Sequence, residues 1–134
     1  MVHILSNSAS ILNVFISEIR DAEIQKDRLR FRYNLRRIGE IFAYEISRKL
    51  EYVEKEVTTP LGVAMVPVLK ENPVLAVILR AGLPFHEGFM NVFDRADSAF
   101  VSAYRKRHKD GLLLSTWSIA RCPTSTIKYL LSVM

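Results

Sequence analysis

Residues Pro73-Val74-Leu75-Ala76-Val77-Ile78-Leu79-Arg80-Ala81-Gly82-Leu83-Pro84 decide the fold. The apolar run Val74 to Leu79 reads as a buried strand and Arg80-Ala81-Gly82 as the turn that ends it. Pro84 then stands where a helix favours its first residue. Open α/β sheets bind their ligands at the carboxyl ends of their strands. A permanently charged side chain with five donors at such an end points to an anionic ligand.

Outward from that string, Phe85, Phe89, Met90 and Phe93 have the spacing of a helix with one buried side, and Ser98 to Tyr104 reads as the next strand. Strand, glycine-containing turn, helix and strand make a βαβ unit, which implies a parallel sheet with helices on its faces. Upstream, Val63 to Leu69 reads as a strand set off by Lys70-Glu71-Asn72-Pro73. Tyr52 to Thr59 alternates loosely and ends in the turn signal Thr58-Thr59-Pro60-Leu61-Gly62. Two helices precede these strands. Ser10 to Arg20 carries Ile11, Leu12, Phe15, Ile16 and Ile19 at helical spacing. Asp27 to Leu50 carries a stripe of Phe31, Leu35, Ile38, Phe42, Ile46 and Leu50, read as a core face whose shoulder could serve a dimer. The fold class is therefore α/β, an incomplete Rossmann-like parallel sheet with flanking helices and an N-terminal helical segment.

Composition narrows the class. The chain has 134 residues, enough for one domain, and 49% of them are apolar, too many for a disordered protein. It has no run of the roughly 20 apolar residues that a membrane span needs, and Met1 to Leu12 lacks the form of a secretion signal, so a cytoplasmic setting with no membrane partner is expected. Cys122 is the only cysteine, which excludes an internal disulfide and a cysteine-held metal. The formal charge of +5, densest at Arg105-Lys106-Arg107-His108-Lys109, raises nucleic acid as a partner. A solvated strand end or loop is the plainer reading of that patch, and nucleic acid is not the expected partner.

The string Val77-Ile78-Leu79-Arg80-Ala81-Gly82-Leu83, followed by Gly88, Asp94, Ala96-Asp97 and Ser102-Ala103-Tyr104-Arg105-Lys106, resembles the first half of the uracil phosphoribosyltransferase family. Phe31-Arg32, Arg37-Ile38-Gly39, Tyr44-Glu45 and Thr59-Pro60-Leu61 are similar to the same family in the same order, so the likeness covers about residues 1–110. The pairing of Arg80 with Arg105 is its most specific part. The resemblance implies a phosphoribosyltransferase-type sheet and transfer of a phosphoribosyl group from phosphoribosyl diphosphate to N1 of uracil, giving UMP and diphosphate with Mg²⁺ as cofactor. It also implies a homo-oligomer. In this reading Arg80, Ala81, Gly82 and Arg105 bind the phosphoribosyl diphosphate, and the family's turn often contains a non-proline cis peptide. No catalytic residue and no protein ligand to metal is identified.

Simpler readings stand beside these roles. Arg80 could pair with Asp94 or Asp97, and Gly82 could be a turn glycine only. His86 and His108 match no functional position of the family and read as surface or helix residues, while Asp94 and Asp97 read as element ends.

The likeness fails in the tail. Leu112 to Met134 contains no glycine, aspartate or glutamate, so it cannot form the family's second phosphate loop, which holds ribose hydroxyls with acidic side chains and the 5′-phosphate with backbone amides. Shifting the frame over Ser115 to Met134 permits family-like strings, and a frameshift near Gly111 is expected, making residues 111–134 an aberrant tail on a 1–110 family portion. Two function classes remain open. One is an enzyme by descent, inactive alone. The other is a non-catalytic binding or regulatory protein that pairs with an intact subunit or touches RNA.

Overall fold

The computed structural model describes residues 4–107 and 113–120, with side chains over 4–102. The N-terminal segment is helical. Ser10 precedes α1, Ile11–Arg20, and Asp27 caps α2, Arg28–Ser47, by accepting from the Leu29 and Arg30 N–H groups at 3.0 and 3.1 Å. These bonds satisfy two of the donors that every helix start leaves open. α2 stops three residues short of the expected Leu50. There the chain tightens, with Lys49 N–H bonded to Ile46 O and Leu50 N–H to Ser47 O.

A fully buried Asn34 fastens α1 to α2. Its Nδ2 donates to Glu18 Oε2 at 2.6 Å and its Oδ1 accepts from Arg37 Nη1 at 3.2 Å. The bond from Asn34 does most to lower the Glu18 carboxyl below its ordinary pKa, with Arg30 and Arg37 adding to it against the effect of burial. Arg37 also lies over the Phe15 ring, 5.2 Å from its centroid.

The next two strands form an arm. β1, Tyr52–Thr59, and β2, Gly62–Leu69, pair antiparallel across the two-residue turn Pro60-Leu61. Gly62 has φ +134°, a conformation that L side chains rarely adopt, and Thr59 Oγ1 donates to Gly62 O at 2.7 Å. The root is anchored where Leu69 packs on the core and Tyr52 Oη donates to Ser47 O. Beyond it, no Cα of the hairpin comes within 8 Å of another helix or strand among the described residues. Sequence pattern places both strands but not their pairing as a separate hairpin.

The βαβ unit forms as expected. β3, Val74–Leu79, runs into α3, Leu83–Val92, and α3 into β4, Asp97–Arg107. β3 and β4 are parallel, with Val74 opposite Asp97 and Leu79 opposite Ser102. β5, Leu113–Ala120, then pairs antiparallel with β4, so parallel pairing is confined to β3 and β4 and β3 is an edge among the described strands. The core holds Ala43, Leu75, Phe89, Phe93 and Ala96, flanked by Phe42, Ile46, Leu50, Leu69, Phe85 and Met90.

α2 crosses α3 at two glycines. A Cβ on Gly39 would collide with Phe85 O, and one on Gly88 with Arg36 O. Only hydrogen atoms at these positions let the backbones approach so closely. The fully buried positions of α2 are Asn34, Ile38, Gly39 and Ala43, so its tightest line runs beside the expected stripe, whose larger residues, except for Ile38, flank it half-buried.

Candidate anion-binding site

The carboxyl end of β3 carries the Arg80-Ala81-Gly82 turn. Leu79–Arg80 is a cis peptide bond, as the family resemblance implies. Gly82 N–H bonds to Ile78 O and Leu83 N–H to Arg80 O, both at 3.3 Å, and His86 N–H bonds to Gly82 O at 2.9 Å. The turn is thereby tied to the strand before it and the helix after it. Gly82 has φ −74°, so glycine is not required here for its conformation. It is required for space. A Cβ would stand 2.5 Å from Val77 Cγ2 and 3.0 Å from Ile78 O.

The donors left over face outward. Pro84 removes one N–H from the first turn of α3, and no described group accepts from the Ala81 N–H. Arg80 is exposed and makes no ion pair among the described residues. Pairing with Asp97 is excluded by register. Asp97 lies opposite Val74, five residues from Leu79, or about 16 Å along the strand at the other end of the sheet. Asp94 follows the far end of α3 and is equally remote in the chain path.

β4 continues past Ser102 to Arg107, beyond the end of β3. The Arg105 backbone, paired with Ser115 of β5, therefore lies at the same end of the sheet as Arg80. Its side chain, like the whole of His108, lies outside the described residues.

His86 is a helix residue, in α3, and half-buried. Its Nε2 lies 3.2 Å from Ser98 Oγ and its ring 5.6 Å from that of Phe100, between α3 and β4. Burial holds its pKa below the ordinary value, with Glu87 opposing weakly. It supports the helix that follows the turn rather than facing the turn. Periodicity along α3 assigns Phe89 and Phe93 to the core but has no means of showing that His86 turns towards Ser98.

The guanidinium and N–H donors of these groups can hold an anion. Mg²⁺ takes oxygen ligands, whereas the turn offers a guanidinium and N–H donors. Among the described residues no three His, Cys, Asp or Glu side chains gather to hold a metal ion. No described helix is long and apolar enough to cross a membrane.

A parallel βαβ unit with an exposed arginine turn at its carboxyl end places the chain in the α/β class. A family model described as Uracil phosphoribosyltransferase matches residues 6–116. The chain is 59% identical over 103 residues to a uracil phosphoribosyltransferase of Porphyromonas gingivalis, covering 77% of this chain and 47% of that protein. To the one from Pyrococcus furiosus it is 33% identical over 106 residues, 78% of this chain and 44% of that one. A solved structure described as AQ2163 protein from Aquifex aeolicus superposes with a TM-score of 0.70 at 28% identity, covering 87% of this chain and 54% of that one. The chain belongs to the uracil phosphoribosyltransferase family, whose named members are glycosyltransferase-type enzymes. It spans about half the length of the curated relatives it matches.

Proposed function

We propose that this chain carries the diphosphate-binding half of a uracil phosphoribosyltransferase site. The observation that carries the reading is the exposed Arg80, unpaired among the described residues, in a turn tied at both ends, at the carboxyl end of β3 and before the start of α3. In the reaction the bond from the ribose anomeric carbon to diphosphate breaks with its electron pair leaving on diphosphate. A bond to uracil N1 forms, and the N1 proton is lost. Negative charge gathers on the leaving group, so fixed donors aimed at it lower the barrier. Arg80 supplies charge-assisted hydrogen bonds, each worth on the order of 1.5–3 kcal/mol. Ala81 offers its N–H, which no described group accepts, to the same oxygens. Gly82 lets α3 begin against Val77, and Arg105 closes on the diphosphate from β4. Mg²⁺ enters only as a counter-ion of the diphosphate, with no ligand on this chain assigned to it.

The 134-residue polypeptide alone binds diphosphate and does not make UMP. The lack of glycine, aspartate and glutamate over residues 112–134 supports this, since those residues offer neither a carboxylate for the ribose hydroxyls nor a glycine turn for the 5′-phosphate. Residues 117–134, past the end of the family match, are in this reading foreign to the family, and sequencing the gene through and beyond them tests that. Isothermal titration of the chain with diphosphate should show binding that Arg80→Ala weakens about tenfold or more. Wild-type binding unchanged in the variant, or UMP formed from uracil and phosphoribosyl diphosphate, would count against the proposal.

A further inference from the structure

The Arg80-Ala81-Gly82 turn is held to the sheet unequally on its two sides. Its strand side is fixed to β4 by the β3–β4 ladder, which ends at Leu79 opposite Ser102. Its helix side has no such ladder. No Cα of α3 comes within 8 Å of one of β4 among the described residues, so only side chains can hold the start of the helix on that strand.

His86 joins the two. Its backbone N–H bonds to Gly82 O at 2.9 Å and so closes the turn. Its side chain reaches the strand that continues to Arg105, with Nε2 3.2 Å from Ser98 Oγ and the ring 5.6 Å from that of Phe100, two residues on one face of β4. The Ser98 hydroxyl also lies 3.5 Å from Met90 Sδ, but it has one proton to give, and a thioether sulfur is a weak acceptor. The link between Ser98 and His86 is the stronger of the two.

We propose that His86 is a positioning residue for the Arg80 turn: its bond to Ser98 sets the start of α3 on β4 and thereby aims the donors of the turn. The inference rests on the diphosphate reading only for the identity of the ligand. Ionising His86 places a cation between α3 and β4, where burial opposes it and Glu87 compensates weakly. β3 carries no charged side chain, and Asp97 alternates to the face of β4 away from Ser98. Arg36 and Glu40 of α2 pair with each other, and β5 sets Ala120, Ile119 and Ser118 opposite Phe100 to Ser102. No described element offers the cation a strong partner, so low pH loosens the turn.

In NMR spectra of the ligand-free chain, the Ala81, Gly82 and Leu83 amide resonances should move with the midpoint of the His86 ring, below about pH 6.5, and His86→Gln should abolish that movement. Titration calorimetry should show His86→Leu and Ser98→Ala each weakening diphosphate binding about fivefold and no further together, with His86→Gln close to wild type. From about pH 7.5 to about pH 5.5 the wild type should lose affinity relative to His86→Gln, a comparison in which protonation of diphosphate itself cancels. Turn amides indifferent to His86 ionisation and to both substitutions, or losses that simply add in the double variant, would overturn the proposal. Amides that follow His86 in a chain that binds no diphosphate at any pH would uphold the positioning and count instead against the diphosphate reading.

Discussion

At the scale of single residues, two glycines are constrained by what surrounds them rather than by their own dihedral angles. Gly82→Ala drives a methyl group into Val77 and the Ile78 carbonyl, and should cost about 1–3 kcal/mol of stability in denaturant unfolding. Gly39→Ala pushes α2 off α3 and should cost at least as much. Sequence pattern puts Gly82 at a turn correctly, but only the fold shows that a side chain there would meet Val77. His86 gives a pH dependence. Its pKa in the folded chain is depressed, so the neutral ring's stabilising contribution is complete above the ordinary value of about 6.5 and declines as pH falls from there towards the folded value. The unfolding midpoint should be lower at about pH 5.5 than at about pH 7.5, and His86→Gln should flatten that part of the difference. Equal slopes in the two proteins would remove His86 as the cause.

Among the elements, legibility follows periodicity and ceases where contact depends on shape. The strand Val74–Leu79 is legible with its true bounds, because an apolar run of this length between Pro73 and Arg80 fits a buried strand and is too short for a helix. Helix α3 is legible within a residue, since Pro84 marks its first turn. The α2 stripe is legible as the apolar side, yet the closest line of contact uses Gly39 and Ala43, small residues that an amphipathic pattern does not weight. The hairpin escapes because both of its faces are exposed, and a strand pair without a core partner leaves no strong alternation. Asp27, by contrast, announces the start of α2. Replacing it with alanine removes two backbone bonds and should lower stability by about 1 kcal/mol, measurable as a shifted unfolding midpoint.

For the whole molecule, the described fold has one parallel strand pair, an edge on β3 and an arm on one side. The family follows from residues spread through α2, the arm and the βαβ unit. The complete reaction does not, because the chain spans about half of its relatives' length. The edge of β3, unpaired among the described strands, predicts association with other edges. Arginine or mild denaturant below the unfolding transition should reduce light scattering of concentrated samples, and a scattering level indifferent to either would argue against an edge-driven process. Arg80 is legible as a candidate because a charged residue closing an apolar run is conspicuous. What the sequence does not supply is the register that puts Asp97 at the opposite end.

That register also leaves the top of the sheet uneven. β3 stops opposite Ser102 while β4 climbs five residues higher, and the Arg105 backbone lies three residues, roughly 10 Å, above the sill that bears Arg80. In the proposed site, two cationic residues set on a step at different heights would act as a gauge of length. A single phosphate can reach one tread, whereas a two-phosphate chain can bridge both, so the step should rank anions by extent as well as by charge. Competition of diphosphate and orthophosphate for the same chain measures that ranking, with diphosphate favoured and Arg105→Ala narrowing the gap.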